Sequence, residues 1–222
     1  IIFETPTIEA SDNGNILIAN KGGKAIIDDK IEIIGDKFKY NKKDKILSVS
    51  GKVIINDNVN HIMTKSEKII YYNKKEKLFS DGQTTIKLKN GHIINSKNVT
   101  LLLNKKEISS DENTIVYDSE NNFYSTKRFR YFIQKKLFRG KEVILTTSSE
   151  DEYIFDDAYI NLETKEINGK DFEANFNKGT FGSIENEPRF KGNTVYSSTN
   201  KTKISKGAFT TCKKRKNDKC PP

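Results

Sequence analysis

One phrase returns along this chain at a nearly fixed interval. Tyr40-Asn-Lys-Lys-Asp-Lys-Ile-Leu-Ser reappears as Tyr72-Asn-Lys-Lys-Glu-Lys-Leu-Phe-Ser, and again, frayed, as Leu103-Asn-Lys-Lys-Glu-Ile-Ser-Ser. Asn41 and Asn73 lie 32 residues apart, and Asn73 and Asn104 lie 31 apart. Fainter echoes stand at Gln134-Lys-Lys-Leu-Phe-Arg-Gly140 and Glu163-Thr-Lys-Glu-Ile-Asn-Gly169. A period in this range marks stacked supersecondary units, none of which buries its apolar face alone. The expected molecule is one elongated array.

Between the repeats lie short segments that alternate apolar and polar residues. The pairs are Phe38/Tyr40, Val53/Ile55, Ile70/Tyr72, Ile86/Leu88, Leu101/Leu103, Ile115/Tyr117, Tyr131/Ile133, Val143/Leu145 and Ile160/Leu162, followed by Phe172/Ala174/Phe176. Period-two alternation rich in β-branched and aromatic residues predicts half-buried strands. Turns at Asn41-Lys-Lys-Asp44, Asn73-Lys-Lys-Glu76 and Lys89-Asn-Gly91 separate them. Helical periodicity is almost absent, so the fold class is all-β: antiparallel strands, two main ones per ~31-residue unit, stacked about ten deep. The chain is 34% hydrophobic and 31% charged. A thin, two-layer core accounts for both figures, while the ordered alternation argues against disorder.

Residues 1–176 carry the repeats and 177–222 depart from them. Residues 177–183 and 186–192 read as loops, Thr194–Ser197 and Gly207–Thr211 as the last strands, and Lys213–Lys219 as a charged loop. The net charge of +9 sits mostly in residues 201–222, which hold eight Lys/Arg against Asp218, leaving +2 for the rest. With no stacking aromatics beside Lys213-Lys-Arg-Lys216, a nucleic-acid partner is not expected. No apolar run approaches the ~20 residues of a membrane-spanning helix. No leader segment is visible. The opening at Ile1 and the closing Pro-Pro lead us to expect cuts in a longer protein.

The chemistry-bearing residues form no catalytic set. Asp28/Asp29, Glu150-Asp-Glu152 and Asp156/Asp157 fit solvated turns, and no oriented base, nucleophile elbow or phosphate loop accompanies them. His61 and His92 are 31 apart, and structural or solvent-facing roles suit them better than a metal site. Neither enzymatic activity nor a cofactor or metal is expected. Cys212 and Cys220 leave three readings open: a bridge to each other, bridges to cysteines elsewhere, or free thiols. The stripe Phe38, Tyr40, Ile70, Tyr72, Leu101, Leu103, Tyr131, Ile133, Ile160 and Leu162 is read either as packed core or as the lining of a trough. A trough would suit acyl chains, since each buried CH₂ contributes ~0.8 kcal/mol. Open sheet edges at the ends of such an array invite strand addition.

The C-terminal residues are more specific. Lys203-Ile-Ser-Lys-Gly-Ala-Phe-Thr-Thr-Cys212, with Cys220-Pro-Pro222 after it, resembles the end of the periplasmic amino-terminal domain of the lipopolysaccharide-assembly outer-membrane protein family LptD. Asn186-Glu-Pro-Arg-Phe-Lys-Gly192 is similar to part of the same region, and the Tyr-Asn repeats over residues 14–145 resemble the OstA-like repeats of lipopolysaccharide-transport bridge proteins. The resemblance implies an elongated OstA-like β-jellyroll of the taco type, open along one side. It also implies a non-catalytic role at the periplasmic side of the cell outer membrane of Gram-negative bacteria. Lipopolysaccharide would arrive from a periplasmic bridge protein by edge-strand pairing and leave toward a membrane β-barrel with its lipoprotein plug, neither of them in these residues. The stripe residues become groove candidates. In the family, disulfides tie this domain to the barrel; Cys212 matches the motif cysteine, and Cys220 is additional to it. A soluble bridge or lipid A-binding protein of the same fold is the near rival. A surface β-solenoid binding or cleaving polysaccharide is the distant one.

Overall fold

The computed structural model describes residues 1–213. In chain order the strands are β1 (Ile2–Glu4), β2 (Glu9–Ser11), β3 (Ile16–Ala19), β4 (Gly23–Ile27), β5 (Ile31–Gly35), β6 (Lys37–Asn41), β7 (Ile46–Asp57), β8 (Ile62–Tyr72), β9 (Lys77–Ser80), β10 (Gln83–Lys87) and β11 (Ile93–Lys97). They continue as β12 (Thr100–Leu102), β13 (Glu107–Ser110), β14 (Thr114–Tyr117), β15 (Phe123–Thr126), β16 (Arg128–Phe132), β17 (Leu137–Thr146), β18 (Glu152–Asn161), β19 (Ile167–Asn175), β20 (Arg189–Ser198), β21 (Lys201–Ser205) and β22 (Ala208–Thr210). Short 3₁₀ turns at Asn73–Lys75 and Ile133–Lys135 are the only helical elements among the described residues.

Every strand pairing is antiparallel, and the pairings trace two ladders. One runs β2-β3-β6-β7-β8-β9-β12-β13-β16-β17-β18-β19-β20-β21. The other runs β1-β4-β5-β7-β8-β10-β11-β14-β15-β17-β18-β19-β20-β22. The long strands β7, β8, β17, β18, β19 and β20 belong to both. The molecule is an elongated β-jellyroll: two stacked sheets joined along a crease. Among the described residues its fourteen rungs per ladder exceed the ten or so expected, because β1–β5 and β20–β22 extend the stack at both ends. The segment Arg189–Gly192, read as loop from the sequence, is the first half of β20.

The crease is built by residues that either bend the backbone or take up little room. Gly51 (φ 81°) and Lys52 (φ 46°) form a bulge that shifts the register of β7 between Ser50 and Val53, whereas Glu142 (φ 51°) in β17 and Asp171 (φ 49°) in β19 interrupt the pairing and leave the register unchanged. Left-handed residues at these places bend a strand from one sheet into the next. Small inward residues let the sheets converge there. A Cβ at Gly140 would lie 2.5 Å from Val143 Cγ2, and one at Gly169 would lie 2.3 Å from Phe155 Cδ1. Buried hydroxyls line the same seam with their hydrogen bonds made: Ser96 Oγ and Thr114 Oγ1 are 2.8 Å apart, and Thr126 Oγ1 donates to the Lys141 carbonyl at 2.6 Å. Farther from the crease the inward residues grow to Leu47, Tyr71, Leu78, Ile108, Tyr131 and Phe138, all buried. Small at the fold line and large toward the opening is the packing a wedge-shaped interior requires.

Two of the predicted strand phases are reversed. In β8, Ile69 and Tyr71 face inward at 0% and 2% exposure, so Ile70 and Tyr72 lie on the outer face. Directly paired residues share a face, and Tyr40, Leu47, Tyr71 and Leu78 form one such inward row. In β14 the buried residues are Thr114 and Val116, and Ile115 and Tyr117 are exposed. A one-residue slip moves a whole strand to its other face. Tyr40 and Tyr71 are the equivalent residues, although the letters align Tyr40 with Tyr72.

Candidate functional site

Opposite the crease, the turns of the two ladders form two lips. The first lip consists of the turns at residues 42–45, 73–76, 103–106, 133–136 and 162–165. Asn and Asp open turns of this kind because their side chains accept from amides two or three residues on. Asn41 Oδ1 accepts from Asp44 N at 2.9 Å, and Asn161 Oδ1 accepts from Glu163 N and Thr164 N. Each turn closes on a residue with positive φ: Lys45, Glu76, Lys106, Lys136 and Lys165. The carbonyls of four of these residues then tie one turn to the next. Lys45 O accepts from Asn73 N (3.1 Å), Glu76 O from Leu103 N (2.9 Å), Lys106 O from Ile133 N (3.0 Å) and Lys136 O from Leu162 N (2.9 Å).

The second lip comprises the turns around Asp28, Asp57–Asn60, Asn90, Asp118–Asn122 and Glu150. The lips meet at two points: Asn90 Nδ2 donates to the Leu162 carbonyl at 2.8 Å, and Lys165 pairs with Glu120. Nearer the N-terminus they part around a cavity of about 250 Å³. Ile27, Ile31 and Val59 contribute its apolar wall from one lip, and Leu101, Leu103 and Ile133 from the other. A larger concavity, about 800 Å³, lies around Asn95, Ile115, Ser125, Ile144 and Ile154. Those residues share one row opposite in phase to the buried Ile94, Val116 and Leu145, so that concavity belongs to the outer face.

The predicted stripe divides accordingly. Leu101, Leu103 and Ile133 line the mouth cavity. Phe38, Tyr131, Ile160 and Leu162 are buried in the interior, with Tyr40 half-buried against the N-terminal part of the core. Ile70 and Tyr72 are brought to neither place, and the Tyr72 ring instead lies 6.0 Å from the ammonium groups of Lys75 and Lys77. Burial pushes the Tyr131 phenol up to about 12, with the Glu163 charge adding to the shift.

The two histidines are not equivalent despite their spacing. His61 is an exposed turn residue with φ 53°, the conformation that Gly91 takes one repeat on. His92 aligns with Ile62 and is 7% exposed on the second lip beside the lip-to-lip bridges. Its Nδ1 is buried without a hydrogen-bond partner. Burial, aided by the Lys165 charge, lowers its pKa against an opposing effect of Asp118. Among the described residues no group of three His, Cys, Asp or Glu side chains is placed to hold a metal ion. Asp157 is committed on the outer face to Arg139, with contacts of 3.2 and 2.7 Å, and to Lys141 at 3.0 Å; the Arg139 hydrogen bonds, followed by those of Lys141, hold its carboxyl below its ordinary range. Cys212 is exposed just past β22, and Cys220 lies outside the described residues.

The sequence reading missed the two lips. The signal was in the repeat itself, which returns lysines to the same turn each time. The chain matches no protein-family model, and no curated protein is similar to it.

Proposed function

We propose that this chain is a non-catalytic conduit for lipopolysaccharide, taking acyl chains into the wedge between its sheets and acting from the periplasmic side of the outer membrane. The observation that carries this reading is the parted stretch of mouth, where Leu101, Leu103 and Ile133 face Ile27, Ile31 and Val59 around an opening contiguous with the apolar interior. At about 250 Å³ this cavity admits part of one chain. Loading a whole lipid requires the lips to part further. Among the described residues the polar fastenings between the lips are few: one neutral hydrogen bond, worth roughly 0.5–1.5 kcal/mol, and one exposed ion pair, worth roughly 0–1 kcal/mol. Burying a dozen methylenes at ~0.8 kcal/mol each outweighs both.

The outermost strands of the stack, β1 and β2 at one end and β21 and β22 at the other, have one edge unpaired among the described residues and would offer it to a bridge protein of similar fold. The likeness of residues 203–212 to the LptD family supports onward passage to a barrel and its lipoprotein plug. A photo-crosslinking amino acid in place of Leu103 tests the groove. Lipopolysaccharide adducts are expected there and not from the same probe at Ile70 on the outer face. Equal labelling at the two positions overturns the reading.

A further inference from the structure

The two lips carry opposite charge. The turns of the first lip read Lys42-Lys-Asp-Lys45, Asn73-Lys-Lys-Glu76, Asn104-Lys-Lys106, Gln134-Lys-Lys136 and Glu163-Thr-Lys165, with ten lysines against three acids. The facing lip carries Asp28, Asp57, Asp118, Glu120 and Glu150 against few bases. The lysines are stacked, not scattered. Lys75, Lys105 and Lys135 each precede the positive-φ residue of their turn, so they occupy one column, and the turn-to-turn hydrogen bonds hold it in register. Successive turns are two strands apart, which sets the step at roughly 10 Å. Of the lysines on this lip, only Lys165 makes an ion pair among the described residues. The column runs past the mouth cavity, whose wall includes Lys106 beside Leu103 and Ile133.

We propose that this lysine lip is a rail for the phosphate groups of a phosphorylated amphiphile, holding the head outside while the tails enter the wedge. The inference rests on the lipid-conduit reading and adds where the head lies and what recognises it. The opposite lip repels phosphate, so the head is held on one side and the lipid has one orientation. Lysine suits the task better than arginine. Its ammonium is a point charge on a flexible stem and imposes no bidentate geometry, so a phosphate can pass from one rung to the next without first breaking a fixed fork. The acid lip competes for the same lysines when the groove is empty, as Glu120 does with Lys165.

The test uses the 222-residue chain and three probes: lipid A with two phosphates, its fully dephosphorylated form, and inorganic phosphate. The triple variant Lys75→Gln, Lys105→Gln and Lys135→Gln is compared with an outer-face control, Lys37→Gln, Lys39→Gln and Lys65→Gln. All six positions are exposed, so folding is retained in both. The unaltered chain is expected to prefer the bisphosphorylated lipid at least ten-fold. The lip variant should lose that preference while keeping its affinity for the dephosphorylated lipid, and the control should keep both. Millimolar inorganic phosphate should compete only weakly, because it lacks the tails. If both triple variants lose the preference equally, or if the lip variant keeps it, the rail is refuted and the conduit reading stands. Displacement of the lipid by inorganic phosphate alone refutes the rail as a lipid-specific device. If neither lipid binds, the conduit reading fails and the rail with it.

Discussion

Tyr71 and Tyr72 are adjacent, chemically identical and placed on opposite faces of β8, so truncating each in turn tests the register of the whole array. Tyr71 is 2% exposed within the inward row that joins Leu47 to Leu78. Removing a buried aromatic side chain leaves a cavity that a close-packed interior fills poorly, and costs about 3–5 kcal/mol. For a chain of this size each kcal/mol moves Tm by roughly 2–4 °C, so Tyr71→Ala should lower Tm by about 6–20 °C. Tyr72 is half-buried on the outer face, where its ring contacts Lys75 and Lys77. Exposed cation–π contacts are worth about 0.5–1 kcal/mol, and Tyr72→Ala should move Tm by no more than about 4 °C. Thermal melts followed by circular dichroism, with urea midpoints alongside, give both values. A Tyr72→Ala cost equal to or greater than that of Tyr71→Ala would place the wrong face inside and refute the register described above.

Two further outcomes follow from the crease and the mouth. Gly140→Ala should cost about 1–3 kcal/mol by crowding, because its Cβ would meet Val143 Cγ2 at 2.5 Å and Thr126 Oγ1 at 2.9 Å; adding Val143→Ala should cost less than the sum of the two single changes, and strict additivity of the urea midpoints would rule out that contact. His92 has a folded-state pKa below its ordinary 6.5, so the unfolded chain takes up the proton first, and the stability of the neutral form, complete above that value, is lost as pH falls through and below it. His92→Phe should therefore flatten stability between about pH 8 and pH 5 relative to the parent chain, and identical slopes would show that this imidazole does not report on the mouth.

Much of the architecture was legible because strand alternation and a fixed repeat are local properties. Val53/Ile55, Ile86/Leu88, Leu101/Leu103, Tyr131/Ile133, Val143/Leu145 and Ile160/Leu162 were read with the correct phase. The error at Ile70/Tyr72 came from aligning Tyr-Asn-Lys-Lys by its letters. The structure aligns the repeats by the residue with positive φ, and Lys45, Glu76, Lys106, Lys136 and Lys165 are spaced 31, 30, 30 and 29 apart. Asn41 precedes its positive-φ residue by four positions and Asn73 by three, so the same phrase enters the turn one residue out of step and the strand beside it presents its other face. Ile115/Tyr117 failed for another reason. Thr114-Ile-Val-Tyr117 is composed of strand formers throughout, and alternation there favours neither phase.

The chain's own order of residues was enough to make it a stack of antiparallel strands of known period, with lysine-bearing turns recurring along it. Those follow from backbone preferences and polar alternation acting over a few residues at a time. Which side of β8 and β14 is buried, where the crease falls, and that the lysine turns confront acidic ones across a mouth were decided only when rows distant in sequence came into register. The cause is steric: Gly140, Gly169 and the Ser/Thr seam let two sheets converge on one side alone, and the larger residues, with both sets of turns, are thereby carried to the other.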